Sequence, residues 1–203
     1  MRTLLELPAG GRDLQGSSDP VRPVRGGDSV NNPAARYVLL VLVSAITVLL
    51  DQATKLQIMQ SMRLHESIPV VPDFFSITYI RNPGAAFGIL ASSSNGFRLV
   101  FFGLTSLFAL ILLGTILYRL KSDDWGGQLS VAAVFGGAIG NLLDRVRFGE
   151  VIDFLDVYVG AYHWPAFNVA DAAISVGVCF LAFHLAFEKK PDGVHVSEER
   201  PPA

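Results

Sequence analysis

Cysteine is nearly absent from this chain. Its 203 residues hold one, Cys179, which excludes an internal disulfide framework and any multi-cysteine metal site. Charge is scarce too, at 17% Asp, Glu, Lys and Arg against about 25% in an ordinary soluble domain. Sixteen basic and eighteen acidic residues leave a formal net charge of −2, so no basic surface recommends nucleic acid as a partner. Histidine is sparse, and His65, His163, His184 and His195 have no metal-ligand spacing and form no H-E-x-x-H helix. A zinc protease is therefore not expected, nor any other bound metal. No G-x-S-x-G elbow and no Gly-rich phosphate loop occurs. Ser44 and Lys55 suggest a serine–lysine pair, but eleven helical residues separate them by about 16 Å.

What is present in quantity is apolar sequence. Hydrophobic residues make up 51% of the chain, with a mean hydropathy of +0.43. Four runs approach the roughly 20 apolar residues that cross a bilayer as a helix, with spans expected at about 37–58, 97–119, 125–144 and 167–188. Helices apolar on every face cannot all be hidden inside so small a soluble bundle. The fold class expected is a membrane all-α bundle of four transmembrane helices with a small extracytoplasmic β element. The β element comes from the outer segments, 60–96 and 146–166. Phe74-Phe75-Ser76-Ile77-Thr78-Tyr79-Ile80 is β-branched and aromatic, with a turn signal after it, and 149–158 reads as another short strand.

The two ends of the chain differ from the core, 36–188. Residues 1–35 contain five Gly, four Pro and four Arg with no long apolar run, which predicts a disordered tail instead of a cleaved signal peptide. Residues 189–203 form a second polar tail. Four spans put both termini on one side. Ten of the sixteen basic residues fall on the termini and the 119–124 loop, so the positive-inside rule makes those sides cytoplasmic.

Through this topology the polar residues converge on the extracytoplasmic end. Ionisable groups within spans are costly and usually have a partner and a task. Asp51 and Lys55 are spaced i, i+4, as an ion pair on one helix face. Asn141, Asp144 and Arg145 share a face of the third span, behind a small-residue run that admits close helix packing. Asn168 and Asp171 open the fourth, where a capping box is the structural alternative. Asp153 and Asp156 are three apart in a strand-like run, so they point to opposite faces and only one can meet Asp171; periodicity does not choose. Two carboxylates at one site cannot both ionise easily, so one keeps a proton while the other acts as base. An aspartic hydrolase of peptide bonds follows. The competing classes are a proton-coupled transporter or channel, which needs acids continuing to the cytoplasmic side, and a non-enzymatic assembly factor with a polar cap.

Five motifs carry a resemblance. Asp51-Gln52-Ala53-Thr54-Lys55, Arg81-Asn82-Pro83-Gly84-Ala85-Ala86-Phe87-Gly88, Gly140-Asn141-Leu142-Leu143-Asp144-Arg145, Val151-Ile152-Asp153-Phe154 and Phe167-Asn168-Val169-Ala170-Asp171, in order over 37–188, together resemble bacterial lipoprotein signal peptidase (signal peptidase II). The resemblance implies a multi-pass aspartic endopeptidase of the bacterial inner membrane, its active site facing the extracytoplasmic side. It implies cleavage of prolipoproteins before a diacylglyceryl-modified cysteine, with no cofactor and with membrane lipids as surroundings. Asp153 and Asp171 become the catalytic pair, and Asp156 becomes secondary. Asp51, Lys55, Asn82, Gly84, Asn141, Asp144, Arg145 and Asn168 become site-shaping or substrate-positioning residues. The protein is expected to act as a monomer.

Overall fold

The computed structural model describes residues 33–84, 90 and 92–187. Nearly all of the expected tail 1–35, the whole of 189–203 and the Ala85-Ala86-Phe87-Gly88 end of the second motif lie outside the described residues. Four helices are long and apolar enough to cross a membrane: α1 (Pro33–Ser61), α2 (Asn95–Arg119), α3 (Trp125–Phe148) and α4 (Val169–Phe187). Between them run four strands, β1 (Ser67–Val71), β2 (Phe75–Asn82), β3 (Val151–Val159) and β4 (Tyr162–His163).

Each helix is delimited by local chemistry. Ser94 caps α2 by accepting from the Phe97 amide, and Asp124 caps α3 by accepting from Gly127. Helix α3 ends on Gly149 at φ 76°, a left-handed conformation that glycine adopts without strain. The third helix thereby continues one turn past the expected span end at 144, with Arg145 and Arg147 in its last turn.

Helix α3 is the most buried and packs against the other three. Its glycines make this possible. A Cβ on Gly136 would sit 2.8 Å from the Ser44 carbonyl oxygen of α1, and one on Gly137 would sit 2.5 Å from the Ala170 oxygen of α4. Such close backbone approach suits helices in lipid, where packing and not water exclusion holds them together. Helix α2 turns Leu104, Phe108 and Ile111 outward at 62%, 69% and 62% exposure, a surface suited to acyl chains.

The strands form one antiparallel sheet in the order β1-β2-β3-β4. β1 and β4 go beyond the two strands expected. β1 contains Pro69 and is exposed throughout, as an edge strand tolerates. The β2–β3 register shifts between Ile77 and Ile80, and such a bulge re-aims side chains. A cluster of Ile58, Met62, Tyr79, Ile152 and Phe154 fastens the sheet to the end of α1. A second cluster, Leu113, Leu117, Val131, Val134 and Leu181, joins α2, α3 and α4.

Candidate active site

Where the sheet meets the helices, a buried ion cluster forms a floor. The Lys55 ammonium lies 2.8 Å from Asp51 Oδ2 and 2.7 Å from Asp144 Oδ2, and it donates to Asn141 Oδ1 at 3.0 Å. All three charged side chains are almost wholly excluded from the surface. Two carboxylates against one ammonium leave a net charge of −1, and burial of that charge needs further donors. Backbone amides supply them: Ala170 N–H donates to Asp51 Oδ1 at 3.0 Å and Ile152 N–H to Asp144 Oδ2 at 3.2 Å. Gln52 Nε2 donates to Asp144 Oδ1 at 2.9 Å and to Asp51 Oδ2 at 3.1 Å. The floor therefore ties α1, α3, β3 and the start of α4 to one another.

Above it the polar groups have a direction. An ammonium only donates, so Asn141 must turn its oxygen to Lys55 and its NH₂ to Asp171, whose Oδ1 accepts at 2.7 Å. Asn168 Oδ1 accepts from the Asp171 amide at 2.9 Å, while Asp171 Oδ2 accepts from the Asn168 amide at 3.3 Å. That reciprocal pair is the capping box the sequence offered as an alternative. It also sets where the Asp171 carboxylate stands. With its oxygen committed, Asn168 directs its NH₂ to Asp153 Oδ1 at 2.8 Å, so one asparagine touches both aspartates. Asn82 Nδ2 donates to Asp153 Oδ2 at 3.0 Å, its own oxygen held by the Gly84 amide at 3.0 Å. Both aspartates are thus held by neutral amides, while Lys55 is occupied below.

The Asp153 carboxyl, outside the spans on β3, is raised to about 7. Burial is the largest cause and the charge of Asp171 the next; the Asn82 and Asn168 bonds and Lys55 oppose them. A cavity of about 610 Å³ lies over the pair, lined by Asn82, Gly84, Asn141, Arg145, Asp153 and Asp171, with Trp164, Pro165, Ala166 and Phe167 on one wall.

Asp144, Asp51 and Lys55 lie beneath this cavity and do not line it. Asp156, which chain periodicity left as an equal candidate, is turned elsewhere. It accepts from His163 Nδ1 at 2.9 Å and from Thr78 Oγ1 at 3.4 Å, and it borders an adjoining cavity of about 540 Å³. Ser44 donates to the Ala132 carbonyl and has no contact with Lys55. Two contributors were not anticipated. Gln52 lies inside the first motif, three residues before Lys55, and its place beside Asp51 was the available signal. Phe102 of α2, over which the Arg145 guanidinium sits at 4.4 Å, belongs to an apolar run that gave no signal.

Fold and site together define a four-helix membrane protein with a small outer sheet and a carboxylate-bearing cavity at one end of the bundle. Comparison with known proteins narrows this. Residues 43–187 match the family model for signal peptidase (SPase) II. The lipoprotein signal peptidase of Syntrophus aciditrophicus (strain SB) is 50% identical over 153 residues, 75% of this chain and 95% of that protein. That of Geobacter sulfurreducens (strain ATCC 51573 / DSM 12127 / PCA) is 53% identical over 144 residues, 71% and 89%. A solved structure described as a "Bacterial membrane enzyme structure by the in meso method at 1.9 A resolution" is 35% identical, covers 74% of this chain and 94% of its own, and superposes with a TM-score of 0.64. The chain belongs to the signal peptidase II family, and is thus a membrane-spanning peptidase.

Proposed function

We propose that this protein removes signal peptides from prolipoproteins by cutting the peptide bond before a diacylglyceryl-modified cysteine, with Asp153 and Asp171 as an aspartic pair. The observation that carries the reading is Asn168, whose side-chain NH₂ donates to the Asp153 carboxylate and whose backbone N–H donates to the Asp171 carboxylate, beneath an open cavity. Relatives sharing about half of the aligned residues are lipoprotein signal peptidases, which supports the substrate class.

The steps balance with one proton shared by the pair. Asp153, whose proton is held up to about pH 7, starts protonated, and Asp171 starts ionised. The Asp171 carboxylate takes a proton from water as the water oxygen bonds to the scissile carbonyl carbon. Asp153 gives its proton to the carbonyl oxygen, forming a tetrahedral diol. Asp171 then protonates the departing amine as the C–N bond breaks, and Asp153 recovers a proton from the diol. Asn141 and Asn168 orient the carboxylates, and Asn82 and Gly84 shape the wall beside Asp153. Arg145 presents a cation to the cavity. The floor of Asp51, Lys55 and Asp144 holds α1, α3 and α4 in register below.

A prolipoprotein delivers its signal segment and acyl chains from the bilayer, so the cavity faces the extracytoplasmic surface of the bacterial inner membrane, with both termini cytoplasmic. The protein acts there as a monomer among membrane lipids. The test is cleavage of a diacylglyceryl-modified prolipoprotein by the purified protein in detergent, with the cut located by mass spectrometry. Wild type cuts before the lipidated cysteine; Asp153→Asn and Asp171→Asn, folded to the same melting temperature within a few degrees, lose activity by at least about 10³-fold. Full activity in either variant would move the chemistry to another group, Asp156 first.

A further inference from the structure

Arg145 is an odd cation. It lines the same cavity as Asp153 and Asp171, yet no carboxylate lies within 4 Å of it among the described residues. The one hydrogen bond its guanidinium makes among the described residues is a long one, 3.4 Å from Nη1 to the Asn141 carbonyl a turn earlier in the same helix. What it has instead is a ring: its guanidinium carbon stands 4.4 Å from the centroid of Phe102. Phe102 is buried at 8% exposure, and Phe101 packs against it edge-on at 5.3 Å between centroids. The ring is therefore backed by a second aromatic. No side chain of α2 lines the cavity, so this face is how α2 reaches the site.

We infer that Phe102 is a positioning residue, whose ring face holds Arg145 away from the two aspartates and leaves guanidinium N–H groups directed at a carbonyl oxygen of the bound substrate. The inference rests on the peptidase reading. Its physical basis is a contest between two partners. An arginine free to rotate beside two carboxylates pairs with one of them, forming charge-assisted bonds and depleting the site of a base. A π face competes for the same cation while accepting no hydrogen bond in the guanidinium plane. Stacking thus holds the charge and leaves the donors at the rim of the fork unspent. An aliphatic side chain of similar volume fills the space but exerts no such hold.

The experiment compares Phe102→Leu, Phe102→Tyr, Arg145→Gln and the double variant Phe102→Leu/Arg145→Gln in the diacylglyceryl-prolipoprotein cleavage assay. Phe102→Leu is expected to raise KM or lower kcat so that kcat/KM falls about tenfold, a size set by a desolvated cation–π contact. Phe102→Tyr, which keeps the ring face, retains activity within about twofold. The decisive reading is the double variant. In the Arg145→Gln background the leucine substitution should add less than a twofold loss, because the group it positions is gone. Equal losses in both backgrounds, or wild-type kinetics in Phe102→Leu, would overturn the inference while leaving the peptidase reading intact. If Phe102→Leu fails to fold, Phe102→Met serves in the same cycle. Absence of cleavage by wild type would instead strike the peptidase reading itself.

Discussion

Asp153 sits where burial and a second carboxylate act in the same direction on one proton. The ordinary aspartate value of 3.8 is raised to about 7, so between those limits the folded protein keeps a proton that the unfolded chain has released. Folding stability must then fall as pH rises through that window, and level off above it. The expected result is a melting temperature in detergent that drops between pH 4 and pH 7, with the Asp153 part of the slope abolished in Asp153→Asn. The proposed mechanism sets a limit on activity through the same group: kcat/KM is expected to decline as pH climbs through about 7, where the pair would lose its shared proton. A rate still rising at pH 9 would contradict that assignment. Asn168 matters by the same logic of neutral donors. It steadies two acids without supplying the positive charge that would strip their proton.

Among the elements, α3 carries the heaviest constraint. Gly137 faces the Ala170 carbonyl of α4 and Gly140 faces the Asp51 carboxylate of α1, so a methyl at either position pushes a neighbour away. Gly137→Ala is expected to cost about 1–3 kcal/mol, the usual range for overpacking, and to lower activity by moving the first turn of α4. Gly103→Ala and Gly114→Ala, which meet nothing within 4 Å, are the controls and should melt like wild type. Glycine spacing of this kind was legible in the chain, as were the helices and the i, i+4 pairing of Asp51 with Lys55, because helical periodicity is a local property. β1 was hidden by Pro69, and β4, two residues long, offers no pattern to read. Periodicity could not choose between Asp153 and Asp156, and only the motif resemblance favoured Asp153. Their different placement depends on how β3 is set against β2 and α4, and on hydrogen bonds such as that from the Asn168 side-chain NH₂ to Asp153, which no periodicity reveals. Phe102 was invisible for a further reason: one aromatic in an apolar run looks like every other until a cation from the next helix is placed on it.

At the largest scale the described residues are two-sided, with polar architecture at one end of an apolar bundle. The other end carries a lesser pairing, His184 Nε2 with Asp124 Oδ1 at 2.8 Å, which joins the end of α4 to the turn before α3. The proposed orientation, with cytoplasmic termini, rests on the distribution of basic residues and is testable with single cysteines in a Cys179→Ser background. A membrane-impermeant maleimide applied to cells with a permeabilised outer membrane should label Tyr162→Cys, at the sheet, and should label Asp123→Cys only after lysis. The opposite pattern would invert the topology. The buried floor has a further consequence for how the protein comes into being. Chains emerge from the ribosome N-terminus first, so α1 and α3 can bring Lys55 between Asp51 and Asp144 before residue 168 exists. The amide of Ala170 then finds its acceptor on Asp51 already waiting, and the turn that docks there is the one that carries Asp171. Completion of the last span and the meeting of the two proposed catalytic aspartates become a single event, so on that proposal a nascent chain halted before α4 has no cutting power to misuse.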